Sequence, residues 1–374
     1  MPVALQNLFE PFASFSEGNV EAVLLVGGAG SRLRPLTIST PKPMLPVANF
    51  PCTAHQIAKA KAAGITRIIL STSYKAEVFE GYFQAGEKFG VEIVYVTEES
   101  PLGTGGAIQN VASSLKSAAD APIVILNGDI LSGHDIAKQV AEFESAQADV
   151  SLHLINVEDP RPFGLVPTDE AGNVLSFLEK PQTPEEIVTH QINAGCYVFR
   201  RSVIDSIPPN QVVSVERETF PSLLEKSAKV VAYIEDAYWL DLGNPLAFAQ
   251  GSRDLVLGKG RSPLIANVGE ALIAESATVD PTAEISGGSA IGENAVIKAG
   301  ARVIGSVVMN GAEIGEGAII VNSIVSRDVS IGSNCNLRET VVADSAVIGA
   351  DNEFSENRIW PNVVITEHSI RFSS

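Results

Sequence analysis

The chain has 374 residues, of which 45% are hydrophobic and 19% are charged, and its formal net charge is −18. This length is too great for one ordinary core, so we expect two or three domains in a soluble globular protein. A surface this acidic repels polyanions, and no local basic stripe offsets it, which argues against a nucleic-acid-binding protein. The longest apolar runs fall short of the roughly 20 residues that cross a bilayer, so we expect no membrane span.

The N-terminus and the cysteines indicate the compartment. Residues 1–19 contain no lysine or arginine and no apolar run typical of a signal peptide, so we interpret them as an N-terminal extension of a cytoplasmic protein. Cys52, Cys196 and Cys335 lie far apart and lack the CxxC spacing of a zinc site. We therefore expect three reduced cysteines that serve in packing, as is usual in the cytosol.

Strand-like apolar runs alternate with helical segments from Glu21 to about Ile155. The runs are EAVLLV, RIIL, VEIVYV, PIVILNGD and ADVSLHLI. Between them lie stretches such as TAHQIAKAKAAG, whose apolar residues follow helical spacing and which ends at Gly64. This order predicts an α/β domain with a Rossmann-like, mostly parallel sheet covered by helices. Ligands of such sheets bind beyond the carboxyl ends of the strands, and here the first strand leads into a glycine loop.

The sequence pattern changes near LGKGRSPLI, after about Leu257. From there AEISGG, SAIGEN, AVIKAG and ARVIGS repeat every six residues with a recurring aliphatic side chain. This period predicts a parallel β-helix in which each short strand forms one side of a triangular coil, and its likeness to hexapeptide-repeat proteins implies a left-handed coil. The alternative is an antiparallel sandwich of short strands. We thus expect an extension at 1–19, an α/β domain at 20–257 and a left-handed β-helix at 258–374.

The loop after the first strand carries three glycines. Gly27, Gly28 and Gly30 have no side chain and tolerate positive φ, so their backbone N–H groups can approach an anion closely. A dinucleotide fingerprint would need a glycine where Leu33 stands, and no GxxxxGK segment of a P-loop is present. The glycines alone are as compatible with a simple strand-to-loop turn as with a phosphate site.

The residues after the glycines extend the loop into a longer motif. GGAGSRLRPLT followed by PKPMLPV resembles the signature of the sugar nucleotidyltransferases, also called nucleotide-sugar pyrophosphorylases. The resemblance implies that the loop binds a nucleoside triphosphate, that Arg32 neutralises the polyphosphate and that Lys42 stabilises charge near the α-phosphate. The nucleotide-binding residues that it implies in this loop are Gly27, Gly28, Ala29, Gly30, Ser31 and Arg32. Ser31 stands where threonine is common and keeps the hydroxyl group.

The reaction of this family requires no side-chain nucleophile. The phosphate oxygen of a sugar 1-phosphate attacks the α-phosphorus of the triphosphate, and pyrophosphate leaves from the opposite side. Catalysis then depends on aligning the reactants and on cancelling charge on oxygen. Arginine, lysine, backbone amides and a metal ion are suited to that task, so we expect Arg32 and Lys42 to be catalytic.

Two aspartates are candidates for holding the metal ion. Asp129 follows an apolar strand in VILNGD, and Asp241 follows another in YWLDLG. Each aspartate alone would suit a turn or a helix cap. Both segments match the metal-binding motifs of the family, and hard carboxylate oxygens suit Mg²⁺. The resemblance therefore implies a Mg²⁺ cofactor held by Asp129 and Asp241, which complete the catalytic set.

Further segments resemble the half of these enzymes that binds the sugar phosphate. They are EDPRPFG, FLEKP, INAGCYVF and SVERETFP. The resemblance implies that Lys180 binds the phosphate of the sugar and that other residues surround the sugar ring. Those residues are Gly164, Glu179, Asn193, Gly195 and Glu216. Taken singly, Glu179 and Lys180 would suit a solvated ion pair, and Asn193 a turn.

The stretch YVTEESPLGTGGA matches the base-binding segment of the family. The resemblance assigns Gly103, Thr104 and also Gly128 to the nucleotide, and Glu98 falls where a glutamine often reads the base. Guanine presents two adjacent donors that a carboxylate can accept together, whereas uracil and thymine present one N–H flanked by carbonyls. We therefore predict GTP as the nucleotide. The alternative is that Glu98 is a solvated loop acid.

The substrate pair follows from the branch of the family that the chain resembles. INAGCYVF, SVERETFP and the hexapeptide domain look most like the branch that acts on mannose 1-phosphate, which implies formation of GDP-mannose. The alternatives are a glucose-1-phosphate thymidylyl- or uridylyltransferase and a non-catalytic paralogue that binds a sugar nucleotide and regulates a sister enzyme.

Hexapeptide domains of other proteins carry acyltransferase sites, which generally use a histidine base. From Leu257 onward the only histidine in the sequence is His368, which lies outside the regular repeats. This argues against acyl transfer. We expect the coil to shield the catalytic domain or to build a homo-oligomer.

Overall fold

The structure is a computed structural model that describes residues 20–28 and 30–370. The predicted extension at 1–19 and the loop residue Ala29 lie outside the described residues. The chain divides into two compact units, each drawn from two stretches. The first unit comprises Met1–Gly28 and Gln56–Trp239, and the second comprises Ala29–His55 and Leu240–Ser374. These two units differ from the domains at 20–257 and 258–374 that the sequence predicts, and those domain limits stay a prediction.

Strands and helices alternate before residue 258, as the apolar pattern predicts. The strands are β1 (Glu21–Leu25), β2 (Pro46–Val47), β3 (Phe50–Pro51), β4 (Arg67–Thr72), β5 (Glu92–Thr97), β6 (Pro122–Asn127), β7 (Ile130–Ser132), β8 (Val150–Asn156), β9 (Gly164–Leu165), β10 (Leu178–Glu179), β11 (Gln191–Arg200), β12 (Val230–Ile234) and β13 (Trp239–Asp241). The α-helices are α1 (Cys52–Ala62), α2 (Ala76–Phe83), α3 (Gly103–Asn110), α4 (Ile136–Ala146), α5 (Arg201–Ser206), α6 (Phe220–Glu225) and α7 (Pro245–Val256).

The first unit is built on a nine-stranded sheet. Seven of its strands follow the order β10-β9-β11-β6-β1-β4-β5, while β8 pairs with β11 and β12 pairs with β8. The central strands β6, β1, β4 and β5 are mutually parallel, and β11 runs antiparallel to β6 and β8. The five predicted apolar runs are confirmed as β1, β4, β5, β6 and β8. The prediction of a parallel-rich α/β fold is therefore confirmed.

The central strands are apolar along their length because both faces of the sheet are covered. Val23 and Leu24, which point to opposite faces of β1, are both fully buried. On one face Val23 packs in a cluster with Leu152, Tyr197 and Phe220. Burial of each large apolar side chain contributes about 1.5–3 kcal/mol, so these strands are a main source of the stability of the sheet that carries the loops.

The C-terminal part of the chain consists of short strands at regular intervals. They are β14 (Ala271–Ile273), β15 (Thr278–Val279), β16 (Glu284–Ser286), β17 (Ser289–Ile291), β18 (Val296–Ile297), β19 (Arg302–Ile304), β20 (Val307–Val308), β21 (Glu313–Ile314), β22 (Ile319–Val321), β23 (Ile324–Val325), β24 (Ser330–Ile331), β25 (Asn336–Arg338), β26 (Val341–Val342), β27 (Val347–Ile348), β28 (Glu353–Ser355), β29 (Arg358–Ile359) and β30 (Val364–Ile365). Successive strands belong to three different sheets in turn, so every third strand stacks on the same side.

The three sheets are the sides of the predicted coil. Their orders are β14-β17-β20-β23-β26-β29, β15-β18-β21-β24-β27-β30 and β16-β19-β22-β25-β28. All neighbours in these sheets are parallel, which rules out the alternative of an antiparallel sandwich and fits the predicted left-handed β-helix. The aliphatic residues of the repeat, such as Ile297, Val303 and Ile314, form the interior of the coil.

Candidate functional site

The predicted loop residues Gly27 and Gly28 follow β1 in the first unit. A Cβ atom at Gly27 would lie 2.8 Å from Ser73 Oγ, so the loop passes close to the Ser73 side chain. Gly28 has a φ of 132°, a backbone angle that residues other than glycine rarely adopt. Both glycines are exposed, so their backbone is accessible at the carboxyl end of the strand. Ala29 lies outside the described residues.

In the second unit, Gly30 packs against the residue that the sequence predicts as a catalytic lysine. A Cβ atom at Gly30 would lie 2.8 Å from Lys42 Cβ and 3.0 Å from Thr37 Cγ2. Thr37 Oγ1 also donates a hydrogen bond to the Gly30 carbonyl oxygen at 2.9 Å. The glycine thus brings the stem of Lys42 against the loop. Sequence reasoning gave Thr37 no role, although it lies in the quoted motif; the structure shows that it ties the loop at Gly30.

Arg32 and Asp241 meet at Gly243, and Lys42 lies beside Asp241. Lys42 Nζ lies 3.7 Å from Asp241 Oδ1. A Cβ atom at Gly243 would lie 3.0 Å from Arg32 Nη2 and 3.1 Å from each carboxylate oxygen of Asp241. Three of the four predicted catalytic residues are therefore neighbours within the second unit. Sequence reasoning missed Gly243, although it lies in the quoted YWLDLG segment.

Local structure holds each member of this cluster. Ser31, which is exposed, begins a 3-10 turn over Ser31–Leu33 that carries Arg32. Lys42 begins another 3-10 turn, Lys42–Met44, and its side chain is only 11% exposed. Asp241 ends β13, and Asn244 caps α7 by accepting a hydrogen bond from the Ala247 N–H at 3.0 Å. The cluster therefore lies between a strand end and a capped helix N-terminus.

Asp129, the fourth predicted catalytic residue, lies in the first unit between β6 and β7. Beside it, the Gly128 N–H donates to the Leu25 carbonyl oxygen at 3.0 Å, which ties the end of β6 to the end of β1. That Asp129 lies close to Arg32, Lys42 and Asp241 stays a prediction. Within residues 20–28 and 30–370, no group of three or more histidine, cysteine, aspartate or glutamate residues is placed to hold a metal ion.

The predicted base-binding segment docks on residues 211–216. A Cβ atom at Gly103 would lie 2.6 Å from the Val213 carbonyl oxygen. Thr104 Oγ1 donates to Glu216 Oε2 at 2.9 Å and accepts from the Val215 N–H at 2.9 Å. The structure thus joins Thr104, predicted to contact the nucleotide, to Glu216, predicted to contact the sugar.

Glu98 is half-buried near the start of that segment. Its backbone N–H donates to the Thr72 carbonyl oxygen at 2.9 Å, and its Oε2 accepts from the Leu102 N–H at 3.3 Å. Burial raises the pKa of the Glu98 carboxyl group, and the hydrogen bond from Leu102 partly opposes this shift. The carboxylate is thus half-buried and bonded to the backbone, and the choice between a base-reading residue and a loop acid stays a prediction.

The predicted sugar-phosphate residues Gly164, Glu179 and Lys180 lie together in the first unit. Gly164 pairs with Glu179 across β9 and β10, and a Cβ atom at Gly164 would lie 2.8 Å from Glu179 Oε2. Lys180 Nζ lies 3.5 Å from Glu179 Oε1, and the lysine is exposed. An ammonium group held near a carboxylate and open to water is suited to receive a phosphate.

Asn193 and Gly195 lie at an irregularity of β11, where its pairing with β8 shifts register between Asn193 and Tyr197. Asn193 Oδ1 accepts from the Gly195 N–H at 3.0 Å, and Asn193 Nδ2 contacts the Tyr197 hydroxyl oxygen at 2.8 Å. Gly195 has a φ of 76°. Burial, and next the charge of Glu216, raise the pKa of Tyr197, so its hydroxyl stays neutral. Sequence reasoning missed Tyr197 because it looks like an ordinary core aromatic.

Comparison with known proteins identifies the family. Residues 21–256 match the family described as nucleotidyl transferase. The chain belongs to the nucleotidyl transferase family. Residues 267–372 of this nucleotidyltransferase match the family described as the GMPPB C-terminal domain. Both matches agree with the resemblance found in the sequence.

Two named relatives and one solved structure are similar to this nucleotidyltransferase. It is 50% identical to the mannose-1-phosphate guanylyltransferase of Mycobacterium tuberculosis over 78% of this chain and 80% of that relative. It is 36% identical to mannose-1-phosphate guanylyltransferase catalytic subunit beta of Drosophila pseudoobscura over 72% of this chain and 71% of that relative. The crystal structure of HddC from Yersinia pseudotuberculosis complexed with GMP-PN is 28% identical, with a TM-score of 0.53 over 62% of this chain and 97% of that chain.

Proposed function

We propose that this nucleotidyltransferase transfers the guanylyl group of GTP to mannose 1-phosphate, forming GDP-mannose and pyrophosphate. The cluster of Arg32, Lys42 and Asp241 carries the proposal, because it gathers two cations and a carboxylate where polyphosphate charge must be balanced. The two relatives named for this reaction support the choice of substrates. HddC, solved with a GMP-based ligand, supports a guanine nucleotide.

Charge neutralisation is the main task of the residues in the second unit. Arg32 binds the polyphosphate, and Lys42 balances charge that develops near the α-phosphate as pyrophosphate leaves. Lys42 is held near the Asp241 carboxylate before substrate arrives, and Arg32 projects from the tight turn over Ser31–Leu33. A single preorganised donor of this kind contributes about 10²- to 10³-fold in rate. Gly27, Gly28 and Gly30 keep the backbone close to the phosphates.

Enzymes of this family generally use a divalent metal ion. For this chain we propose Mg²⁺, with Asp129 and Asp241 as its protein ligands. Their hard carboxylate oxygens fit that ion, and Mg²⁺ usually takes one or two carboxylates besides phosphate oxygens and water, so a cluster of three is not needed. Mg²⁺ in such a site withdraws charge from phosphate oxygens and helps to align the reactants.

The sugar phosphate is assigned to residues of the first unit. Lys180, exposed and 3.5 Å from Glu179, binds the phosphate of mannose 1-phosphate. Glu179 and Glu216 accept hydrogen bonds from sugar hydroxyl groups. Asn193 and Gly195 shape the irregular stretch of β11 beside the ring, since the side-chain amide of Asn193 is already bonded to Gly195 and Tyr197. Gly164 leaves room for the Glu179 carboxylate.

The base is assigned to Glu98, Gly103 and Thr104, with Gly128 nearer the strand ends. Glu98 accepts the adjacent N1–H and exocyclic amine of guanine, which favours GTP over UTP and dTTP. Its hydrogen bond from the Leu102 N–H orients the carboxylate for that purpose. The 2.9 Å hydrogen bond from Thr104 to Glu216 couples the base-binding segment to the sugar-binding residues.

The setting of the enzyme is proposed on separate grounds. All three cysteines are buried and form no disulfide, which agrees with the predicted packing role and supports a cytoplasmic enzyme. No helix in the described part of the chain is long and apolar enough to cross a membrane. We further propose a homo-oligomer to which the coil contributes.

Pyrophosphate release tests the proposed reaction. The protein is mixed with Mg²⁺, one of GTP, UTP and dTTP, and either mannose or glucose 1-phosphate, and each pair is repeated with EDTA. We expect the fastest release with GTP and mannose 1-phosphate, and its loss with EDTA. Release confined to glucose 1-phosphate would favour the thymidylyl- or uridylyltransferase alternative. No release with any pair would favour the non-catalytic paralogue.

A further inference from the structure

The segment that carries Arg32 and Lys42 is bonded to the coil at successive points. Arg358 Nη1 donates to the carbonyl oxygens of Arg32, at 3.3 Å, and Arg34, at 2.9 Å. Further along, Ser39 Oγ donates to Asp344 Oδ2 at 2.5 Å. These contacts all lie within the second unit. They place the phosphate-binding segment on the coil rather than leaving it a free loop.

Two more contacts continue the same path. Arg327 Nη2 donates a hydrogen bond to Thr40 Oγ1, and Asn49 Nδ2 donates to the Ile291 carbonyl oxygen at 2.8 Å. Arg358 begins β29, Asp344 and Arg327 follow β26 and β23, and Ile291 ends β17. All four strands belong to one sheet of the coil, in the order β17-β20-β23-β26-β29. Residues 32–49 therefore run down a single face of the coil, from its last strand towards its first.

The Arg358 contacts bear directly on the orientation of Arg32. Leu33 N–H donates to the Gly30 carbonyl oxygen at 3.0 Å and Arg34 N–H to that of Ser31 at 3.2 Å, so residues 30–34 form one tight turn. Arg358 holds two other carbonyls of the same turn. The Arg32 side chain leaves that turn towards Gly243, where its Nη2 would lie 3.0 Å from a Cβ atom. A shift of the turn would therefore displace the backbone from which the guanidinium group reaches Gly243.

We propose that the coil is part of the catalytic apparatus and that Arg358 is a positioning residue for the phosphate-binding turn. Arg358 touches no substrate, and it acts by holding the backbone from which Arg32 projects. Asp344 is a second anchor for the same segment, because it accepts from Ser39 Oγ, Ser326 Oγ and the Arg327 N–H. The proposal rests on the proposed function in one respect, since it takes Arg32 to act on the triphosphate.

Arg358 is exposed, so its bonds to the two carbonyls compete with water and add little to global stability. Their effect on geometry is larger, because a misplacement of about 1 Å at a charge-stabilising group can cost about 100-fold in rate. Positioning and folding should therefore separate in the same variant. A residue with a merely structural role would lower the thermal midpoint together with the activity.

The test compares Arg358→Ala, Arg358→Lys and Arg338→Ala in the full-length protein. Arg338 is the matched control, because it is an exposed arginine on β25, in another sheet of the coil. We expect kcat for Arg358→Ala to fall about 10- to 100-fold with an unchanged thermal midpoint. Lysine at 358 and added guanidinium ion at millimolar concentration should each restore part of kcat. Arg338→Ala should match the original protein.

Hydrogen exchange of the backbone amides gives a second readout that needs no turnover. In Arg358→Ala, the amides of Leu33 and Arg34 should exchange about tenfold faster or more, whereas Arg338→Ala should leave them unchanged. Unchanged exchange together with kcat within twofold of the original protein would overturn the proposal, as would loss of kcat that only follows loss of folded protein. If the original protein forms no sugar nucleotide, the proposed function fails, while hydrogen exchange still decides whether Arg358 holds the turn.

Discussion

The ammonium nitrogen of Lys42 lies 3.7 Å from Asp241 Oδ1, although the two residues come from opposite ends of the predicted catalytic domain. The side chains are only 11% and 25% exposed, so water screens their charges less than at an open surface. Asp241 therefore holds Lys42 in place before substrate binds. The triphosphate then meets a cation whose position is already set, which is the condition for electrostatic stabilisation of a transition state.

Replacing the lysine tests this arrangement. Lys42→Gln should lower kcat/KM for GDP-mannose formation about 10²- to 10³-fold, because it removes a preorganised positive charge near the α-phosphate. The measurement is steady-state product formation with GTP and mannose 1-phosphate. Lys88→Gln, at an exposed lysine of the first unit, is the control and should be silent. A loss of less than tenfold in Lys42→Gln would exclude a catalytic role for Lys42.

The space at Gly243 gives a second prediction. Gly243→Ala should lower kcat about 10- to 100-fold, because its Cβ atom would lie 3.0 Å from Arg32 Nη2 and 3.1 Å from the Asp241 oxygens, so at least one of these charged groups must shift. Gly269→Ala is the matched control in the same unit, since a Cβ atom there has no neighbour within 4 Å among the described residues. Equal kcat in the two variants would show that the cluster tolerates displacement and is not the catalytic centre.

Nucleotide choice depends on Glu98 in this account. Glu98→Gln should reduce the preference for GTP over UTP about 10- to 100-fold, because the variant loses the charged group that accepts hydrogen bonds from two guanine donors. A hydrogen bond to a charged group contributes about 1.5–3 kcal/mol. The ratio of kcat/KM for the two nucleotides measures it. Glu99→Gln, at the exposed neighbouring acid, controls for charge alone. An unchanged preference in Glu98→Gln would contradict the proposed reading of guanine.

Buried histidines predict how stability responds to acid. Burial lowers the pKa of His55 from 6.5 to about 4, against an opposing hydrogen bond to the Val47 carbonyl. Burial, with the charge of Lys59, lowers the pKa of His153 to about 3. Below pH 6.5 these histidines become protonated in the unfolded chain but stay neutral in the folded protein. The free energy of unfolding therefore falls as pH falls from 6.5 to 4. Each histidine contributes a slope of up to about 1.4 kcal/mol per pH unit.

Urea unfolding across this pH window checks the histidine prediction. Neither ring nitrogen of His153 has a hydrogen-bond partner among the described residues, so His153→Leu removes a titrating group without breaking a hydrogen bond. We expect a shallower loss of stability with acid in that variant. His368→Leu, at an exposed histidine, should keep the original slope. The same slope in all three proteins would mean that His153 does not resist protonation in the fold.

The sequence predicts the repeating parts of the fold well. The strands β1, β4, β5, β6 and β8 lie at the predicted apolar runs, since buried parallel strands need apolar side chains on both faces. The coil follows from its six-residue period, because each turn of the coil must bury the same aliphatic positions. Neither pattern predicts which strands pair across the antiparallel edge of the sheet, where β11 lies between β6 and β8.

The site is less accessible to sequence reasoning, because its geometry depends on contacts between distant residues. The family resemblance selected Arg32, Lys42 and Asp241, but only the fold brings Arg32 and Asp241 together at Gly243 and Lys42 beside Asp241. Gly243 looks like any turn glycine until its neighbours are known. Arg358, by the same logic, looks like a coil surface residue, and its bonds to the Arg32 and Arg34 carbonyls appear only in three dimensions.

One competition experiment tests the central claim most directly. The protein and Mg²⁺ are incubated with equal concentrations of GTP, UTP and dTTP together with equal concentrations of mannose and glucose 1-phosphate, and the sugar nucleotides formed are identified by mass and chromatography. Because product ratios in a mixture report ratios of kcat/KM, the dominant product names the substrates. The account predicts GDP-mannose. Predominance of UDP- or dTDP-glucose, or the absence of any sugar nucleotide, would contradict it.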